Sequence, residues 1–189
     1  MIGGILLAAG AATRFGSSKQ LVDLDGRPLL EHSIRAVTSS PVGRVVVVLG
    51  AAADQVMARV DPHGAEFIVC DRWDEGQSAS LACGLAELSD CDAVVITLGD
   101  QPRLSPEAIR RVIAARGEGV DAVRATYDGE PGHPVLLEHS LFDRMRNVSG
   151  DRGARNLLLS VPTREVACED LGGGEDVDTP AQLDALRAR

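Results

Sequence analysis

The sequence predicts an α/β fold: a single three-layer, Rossmann-like domain with a mostly parallel sheet, helices on both faces and a mixed C-terminal half. Its 189 residues suit one domain and are too few for two independent ones. Four apolar runs rich in Val and Ile are bounded by turn residues and lack polar alternation, which is typical of buried parallel strands. They are 2-IGGILLAA-9, 44-RVVVVLG-50, 65-AEFIVC-70 and 93-AVVITLG-99. Helical patterns separate these runs, and such alternation indicates a parallel sheet.

Two of the helices between the strands have clear start signals. Pro28 opens one of them, and its apolar face then repeats at helical spacing as Leu30, Ile34 and Val37. Ser105 and Pro106 are typical of the N-cap and first position of the other. Its inward-facing residues are Ile109, Val112 and Ile113.

The pattern changes after residue 120. The segments 121-DAVRATYD-128 and 133-HPVLL-137 predict shorter strands, and amphipathic stretches follow near 139–147 and 153–160. A last strand is predicted at 164-REVAC-168, and the residues 179-TPAQ-182 form a capping box that predicts a final helix. The C-terminal half is therefore expected to be mixed rather than parallel.

Composition limits the partners that the chain could bind. A net charge of −9 and a pI near 4.9 disfavour nucleic acid, although a small anionic ligand held by a metal and a few cations remains compatible. No apolar run approaches the ~20 residues that span a bilayer, so no membrane partner is expected. The four cysteines show neither a CxxC pair nor a zinc-ligand spacing, and no signal peptide precedes them. They are predicted to be reduced and buried in a cytoplasmic protein.

The segment 6-LLAAGAATRFGSSKQ-20 follows the first strand and is rich in Gly, Ala and Ser. In an open parallel sheet, ligands bind outside the carboxyl ends of the strands. Gly10 and Gly16 allow backbone amides to turn toward an anion, and Arg14 and Lys19 supply positive charge. The spacing matches neither GxGxxG nor GxxxxGK[ST]. The loop is either a phosphate site or a flexible loop with two solvated cations.

Five segments together resemble the molybdenum-cofactor nucleotidyltransferases, the MobA/MocA-like group that includes molybdopterin cytidylyltransferases. The segments are 7-LAAGAATRFGSSK-19, 26-GRPLLEHSI-34, 99-GDQP-102, 150-GDRGAR-155 and 176-DVDTP-180. The resemblance covers nearly the whole chain. It implies one nucleotidyltransferase domain over 1–189, with a nucleotide-binding half at 1–104 and an acceptor-binding half at 105–189. Its implied reaction moves a nucleoside monophosphate onto the terminal phosphate of a molybdopterin-type acceptor and releases pyrophosphate.

The resemblance also implies a nucleotide and a metal. Cytidylyl-transferring relatives tend to carry LAAG where guanylyl-transferring ones carry LAGG, so residues 7–10 favour CTP over GTP. Lys19 is expected at the α-phosphate and Arg14 at the β- and γ-phosphates. The loop residues expected to bind nucleotide with them are Leu7, Ala8, Ala9, Gly10 and Gly16. A Mg²⁺ ion is expected on Asp100 and Asp178, with Asp176 in support.

Asp100 and Asp178 could also have purely structural roles. Asp100 at a strand end could be only a turn former, and Asp178 before a helix could only complement the helix dipole. Mg²⁺ prefers one or two carboxylates together with substrate phosphates, so Asp100 beside a phosphate loop favours the metal interpretation.

Further residues are candidates for substrate contact. Asp71, Ser78 and Ser80 are expected near the nucleotide, and Arg152 and Arg155 near the acceptor's phosphate unless they only form surface ion pairs. His133 is either a structural histidine or an acceptor contact. Trp73 either covers the pterin or closes the edge of the core.

Three functions are compatible with these residues. The first is the molybdopterin reaction, and the second is the same chemistry on a sugar phosphate or phospholactate. The third is a non-catalytic maturation factor that delivers cofactor to a molybdenum enzyme. Intact Arg14, Lys19, Asp100 and Asp178 favour turnover over a binding role.

Overall fold

A seven-stranded sheet forms the centre of the molecule in the computed structural model, which describes residues 1–11, 18–148 and 153–188. The strands of this sheet are β1 (Ile2–Ala8), β4 (Val45–Leu49), β5 (Glu66–Val69), β6 (Ala93–Leu98), β7 (Ala122–Tyr127), β8 (Glu130–Glu138) and β9 (Thr163–Ala167). Their order is β5-β4-β1-β6-β8-β7-β9. A separate two-stranded hairpin consists of β2 (Asp23–Leu24) and β3 (Arg27–Pro28).

The sheet is parallel in its first half and mixed in its second, as the sequence predicts. β1 pairs in parallel with β4 and β6, and β4 pairs in parallel with β5. Only β8 runs against its neighbours β6 and β7, and β9 returns parallel to β7. β8 starts at Glu130, three residues before the predicted start, because the turn after Tyr127 is tight enough to pair Tyr127 with Glu130.

Helices cover both faces of the sheet. The described helices are α1 (Leu29–Thr38), α2 (Ala53–Arg59), α3 (Gln77–Glu87), α4 (Pro106–Ala114), α5 (Phe142–Arg146), α6 (Gly153–Leu159) and α7 (Pro180–Arg187). Leu6 of β1 belongs to the apolar core that α1, α2 and α4 cover, whereas its neighbours Ile5 and Leu7 belong to the core that α3, α5 and α6 cover. Alternate residues of one strand therefore face opposite layers.

The predicted helix starts are present. The Ser105 hydroxyl accepts a hydrogen bond from the backbone of Glu107, and Thr179 and Gln182 form the capping box of α7. α7 packs with the hairpin through a small separate core that includes Leu24, Val177 and Leu183. Within the described residues, no helix combines the length and apolarity that crossing a membrane requires.

The prediction that all four cysteines are reduced is wrong for two of them. Cys70 and Cys83 form a disulfide, with their Cα atoms 6.0 Å apart, while Cys91 and Cys168 are free and buried. Spacing rules do not identify this pair, because its two cysteines meet only in the folded structure. Cys70 directly follows β5, and α3 brings Cys83 back to the end of that strand. The disulfide brackets the segment 71–82.

Candidate functional site

The site begins where β1 and β6 end side by side. Leu7 pairs with Leu98 in the parallel register, so the segments 9–11 and 99–100 leave the same edge of the sheet together. This approach requires Gly99, because a Cβ there would lie 3.0 Å from the Ala8 Cβ and 2.8 Å from Leu30 Cδ1. The carboxyl ends of parallel strands are the usual ligand-binding edge of such a sheet.

Three predicted residues from distant parts of the chain meet at this edge. Lys19 Nζ donates hydrogen bonds to Asp100 Oδ2 and to Asp178 Oδ1, each at 2.9 Å. The Lys19 side chain is 13% exposed, against 27% for Asp100 and 45% for Asp178. Burial alone would lower the pKa of Lys19, but the two carboxylates outweigh it and raise the pKa above its ordinary value. The ammonium is therefore firmly charged at neutral pH.

Asp178 reaches this position because the loop before α7 is bound to the loop after β6. The Val177 backbone amide donates to the Asp100 carbonyl at 2.9 Å, and the Asp178 amide donates to Gln182 Oε1 at 2.8 Å. Gly173 has a φ of +92°, and a Cβ there would lie 2.3 Å from the Arg103 carbonyl oxygen. Only glycine allows the two loops to approach so closely.

Asp176 lies in the same loop but has a different partner. Its Oδ1 accepts a hydrogen bond of 2.8 Å from Gln101 Nε2, and Gln101 is buried. Burial raises the pKa of Asp176, and the Gln101 hydrogen bond opposes this rise. Asp176 therefore fastens the loop that carries Asp178.

The donor set at Asp100 and Asp178 suits a hard divalent cation. Asp100 Oδ1 is buried and has no hydrogen-bond partner among the described residues, so this carboxylate offers an acceptor at the site. Among the described residues, no group of three or more His, Cys, Asp or Glu side chains is arranged to hold a metal. Two carboxylates that share a cation with substrate phosphates are the arrangement that Mg²⁺ prefers.

A cavity of about 350 Å³ opens beside Asp100. Its described lining comes from the two strand ends and from the segment that leads into α3: Leu7, Ala9, Gly10, Ala11, Trp73, Asp74, Gly76, Gln77, Ser80, Leu98 and Asp100. Gly50 brings two walls together, because a Cβ there would lie 2.5 Å from the Ala9 carbonyl oxygen and 2.6 Å from Trp73 Cγ. The cavity has the size of a small-molecule site.

The predicted nucleotide residues are distributed unevenly around this cavity. Leu7, Ala9, Gly10 and Ser80 line it, whereas Ser78 lines a neighbouring cavity. Asp71 is exposed, and in the described part of the lining its segment contributes Trp73 and Asp74 instead, because the chain turns through a short 3-10 helix after residue 72. Arg14 and Gly16 lie outside the described residues.

Gly10 lines the open part of the cavity. A Cβ at this position would meet no described atom within 4 Å. Among the described residues, nothing crowds this part of the backbone, which leaves space for a ligand beside it.

The neighbouring cavity contains His133 and is mainly apolar. It measures about 50 Å³ and shares Leu7 and Gln77 with the larger cavity. Burial lowers the pKa of His133 to about 4, although the Asp100 carboxylate opposes this, so the imidazole is neutral at pH 7. Arg155 is exposed on α6, and Arg152 lies outside the described residues.

Two buried glutamines also build the site, and residue patterns did not single them out. Gln20 Nε2 donates to the carbonyls of Ala8 and Gly10, both at 3.1 Å, and so holds the end of β1. Gln101 holds Asp176, as described above. Each glutamine directly follows a charged site residue, and Gln101 is also part of the 99-GDQP-102 segment that carries the family resemblance.

Comparison with known proteins identifies the family. The profile of the MobA-like NTP transferase domain matches residues 4–166. The chain belongs to this family. Members are nucleotidyltransferases, and the MobA-like domain here is one. Lys19 and Asp100 lie within the matched range, whereas Asp178 lies beyond it.

Several relatives align along nearly their whole length with this MobA-like domain. Nicotine blue oxidoreductase of Paenarthrobacter nicotinovorans is 33% identical and covers 95% of this chain and 93% of its own length. The purine catabolism protein PucB of Bacillus subtilis strain 168 is 30% identical, over 97% of this chain and 95% of its own. A crystal structure of Rv0371c from Mycobacterium tuberculosis H37Rv in complex with manganese is 29% identical. It superposes with a TM-score of 0.84 over 99% of this chain and 98% of that one.

Proposed function

We propose that this MobA-like nucleotidyltransferase moves a nucleoside monophosphate, CMP from CTP, onto the terminal phosphate of a molybdopterin-type acceptor and releases pyrophosphate. The observation that carries the proposal is the contact of Lys19 with both Asp100 and Asp178 beside the 350 Å³ cavity. A cation and a pair of acids at the carboxyl edge of the sheet suit a triphosphate and its metal.

The reaction needs no protein nucleophile. An acceptor phosphate oxygen attacks the α-phosphorus, the bond from the α-phosphorus to the bridging oxygen breaks, and pyrophosphate leaves with the electron pair. The acceptor phosphate is already anionic at neutral pH, so the protein contributes position and charge. The carboxylates, amides and ammonium of the site suit these two tasks.

Each residue then has a defined task. Lys19 neutralises charge on the α-phosphate, and Arg14 binds the β- and γ-phosphates. The backbone of the segment 9–11 and the N-terminus of α3 at Gly76 and Gln77 favour the remaining phosphate charge. Asp100 and Asp178 would hold Mg²⁺, which supplies Lewis-acid stabilisation of the phosphate oxygens when bound. The manganese complex of Rv0371c supports a divalent metal in this family.

The nucleotide base would lie against the wall of the cavity that Trp73, Gln77 and Ser80 form. Ala9, rather than a second glycine, lies across from Trp73 near Gly50 and narrows this part of the cavity. A narrower pocket favours a pyrimidine over a purine, which supports CTP over GTP.

The acceptor would enter from the side of His133, where residues 105–189 contribute half of the described wall. The neutral imidazole and the apolar surface around Val135 and Leu137 suit an uncharged ring system. Arg152 and Arg155 would bind its phosphate. A molybdenum enzyme that receives the product would be the downstream partner.

Three rival functions share some of this support. A sugar phosphate or phospholactate would use the same nucleotide chemistry with another acceptor. The name of the Paenarthrobacter relative describes an oxidoreductase, so a redox activity is the second rival. A maturation factor that only binds cofactor would tolerate loss of the metal acids.

A pyrophosphate-release screen tests the proposal. CTP and GTP are each combined with Mg²⁺ and with molybdopterin, sugar phosphates or phospholactate, and a parallel assay follows oxidation of reduced nicotinamide cofactors. We expect release with CTP and molybdopterin. Release with another acceptor, or nicotinamide oxidation alone, contradicts it.

The variant Asp100→Asn tests whether the Asp100 carboxylate is a metal ligand. It should lower kcat/KM by about 10³, which is the usual scale for removing one electrostatic contact from a transition state. Asp54→Asn is the matched control, because Asp54 is an exposed acid in the first turn of α2. Equal turnover of Asp100→Asn and the unmodified protein would rule out the metal role.

A further inference from the structure

Lys19 is the only lysine in the chain. The other 18 of its 19 basic residues are arginines. Arginine makes the fixed ion pairs of this fold: Arg111 binds both carboxylate oxygens of Asp170 at 2.7 Å, and Arg116 binds Glu138 at 2.6 and 2.7 Å. The planar guanidinium suits such permanent two-point pairing, whereas an ammonium is a compact, hydrated charge on a flexible stem. The only lysine side chain thus pairs with the two carboxylates that are the candidate metal ligands.

The position of this ammonium coincides with the place a metal would need. One nitrogen lies 2.9 Å from Asp100 Oδ2 and 2.9 Å from Asp178 Oδ1, so both oxygens are turned toward the same point. A divalent cation ligated by both acids would use those oxygens and would meet the ammonium there. The ammonium and a divalent cation are both positive. They cannot contact the same two oxygen atoms at once, because their repulsion at a distance of a few Å is large.

We propose that the Lys19 ammonium and a divalent cation compete for the same two carboxylates, and that the nucleotide's phosphates decide the competition by taking the ammonium. The second half of this statement rests on the proposed function; the competition itself does not. Lys19 is then a residue that makes metal binding depend on the nucleotide.

The competition has a direct energetic consequence. With the ammonium between them, the two acids carry a net charge of −1 instead of −2, so a bare cation is attracted less. When phosphates bind the ammonium, the acids regain their full charge at the moment the metal is needed. Nucleotide and metal should therefore strengthen each other's binding.

The first experiment measures Mn²⁺ affinity without nucleotide, by the electron paramagnetic resonance signal of free Mn²⁺. Lys19→Met keeps the length of the side chain and removes its charge. We expect this variant to bind Mn²⁺ at least about tenfold more tightly than the unmodified protein. Arg35→Met is the matched control, because Arg35 is an exposed cation on α1 away from the site. Unchanged or weaker Mn²⁺ binding by a folded Lys19→Met variant overturns the proposal.

The second experiment uses the unmodified protein, so it does not depend on how Lys19→Met folds. Because Lys19 is the only lysine, an amine-acetylating reagent modifies only this side chain and the N-terminal amine, and mass spectrometry separates the two products. Mn²⁺ at a saturating concentration should free the ammonium from its carboxylates and speed acetylation of Lys19 several-fold. Addition of a non-hydrolysable CTP analogue should then slow it again.

Acetylation that is equally fast with and without Mn²⁺ overturns the competition. Neither experiment requires turnover, so the two proposals fail separately. A Mn²⁺ effect on Lys19 without pyrophosphate release would remove the proposed function and keep the competition. Faster acetylation with Mn²⁺ that the CTP analogue does not reverse would overturn the role of the phosphates.

Discussion

Gln101 holds the loop that carries Asp178 in place. Its replacement by leucine tests how much this hydrogen bond contributes to the free energy of unfolding. The side chain is 3% exposed, and leucine has a similar volume, so packing is largely retained. The change removes the 2.8 Å hydrogen bond to Asp176 Oδ1 and leaves a carboxylate in a buried place without its donor. A longer contact of Gln101 Nε2 with the Gly174 carbonyl, at 3.5 Å, is too long to contribute much.

The magnitude follows from the opposing contributions. A hydrogen bond to a charged group contributes about 1.5–3 kcal/mol to stability. Gln101 Oε1 is buried and has no hydrogen-bond partner in the described part of the chain, so its removal recovers roughly 1 kcal/mol of desolvation. We therefore expect Gln101→Leu to lower the free energy of unfolding by about 0.5–2 kcal/mol. Activity should fall as well, because Asp178 moves with the loop.

Urea unfolding at pH 7, with linear extrapolation, measures this difference. The matched control is the same substitution in an Asp176→Ala background, where Gln101 has already lost its acceptor. There, Gln101→Leu should cost nothing or stabilise slightly. Distant, independent sites are additive to within about 0.5 kcal/mol. A coupling energy below that limit would refute the claim that the Gln101 bond holds the loop.

Two further predictions concern stability. Burial lowers the pKa of His133 to about 4, so the unfolded chain binds a proton at this residue more readily than the folded state does. The free energy of unfolding should therefore fall as the pH drops from about 6.5 toward 4, by up to about 1.4 kcal/mol per pH unit. His133→Gln should flatten this part of a urea-midpoint profile, and an equally steep profile would contradict it. The Cys70–Cys83 disulfide closes a sequence separation of 13 residues and should contribute about 3 kcal/mol. Dithiothreitol should lower the unfolding midpoint of the unmodified protein but not of Cys83→Ser; equal sensitivity would contradict the bond.

The parallel part of the sheet could be predicted from the sequence, because buried parallel strands are continuous apolar runs. Val45–Leu49 and Ala93–Leu98 are almost wholly buried, as expected for parallel strands covered by helices on both faces. The capping box at Thr179 is equally local, since all its partners lie within four residues. Features of this kind depend on neighbours along the chain, and a single sequence contains them.

Contacts between distant segments were less accessible. The site joins residue 19 to residues 100 and 178, and only the resemblance to a family suggested that these belong together. Gln101 and Gln20 act through hydrogen bonds to carbonyl and carboxylate groups that no spacing rule describes. The Cys70–Cys83 pair arises because α3 folds back onto the end of β5. These features follow from tertiary geometry rather than from local pattern.

Strand β1 precedes both of its sheet partners along the chain, yet it lies inside the finished sheet. Its two edges are closed by Val45–Leu49 and by Ala93–Leu98, so the second edge has no strand partner until residues 93–98 have been synthesised. Until then an almost wholly apolar segment with unpaired amides is open to aggregation, because an uncovered strand edge is a template for pairing with other chains.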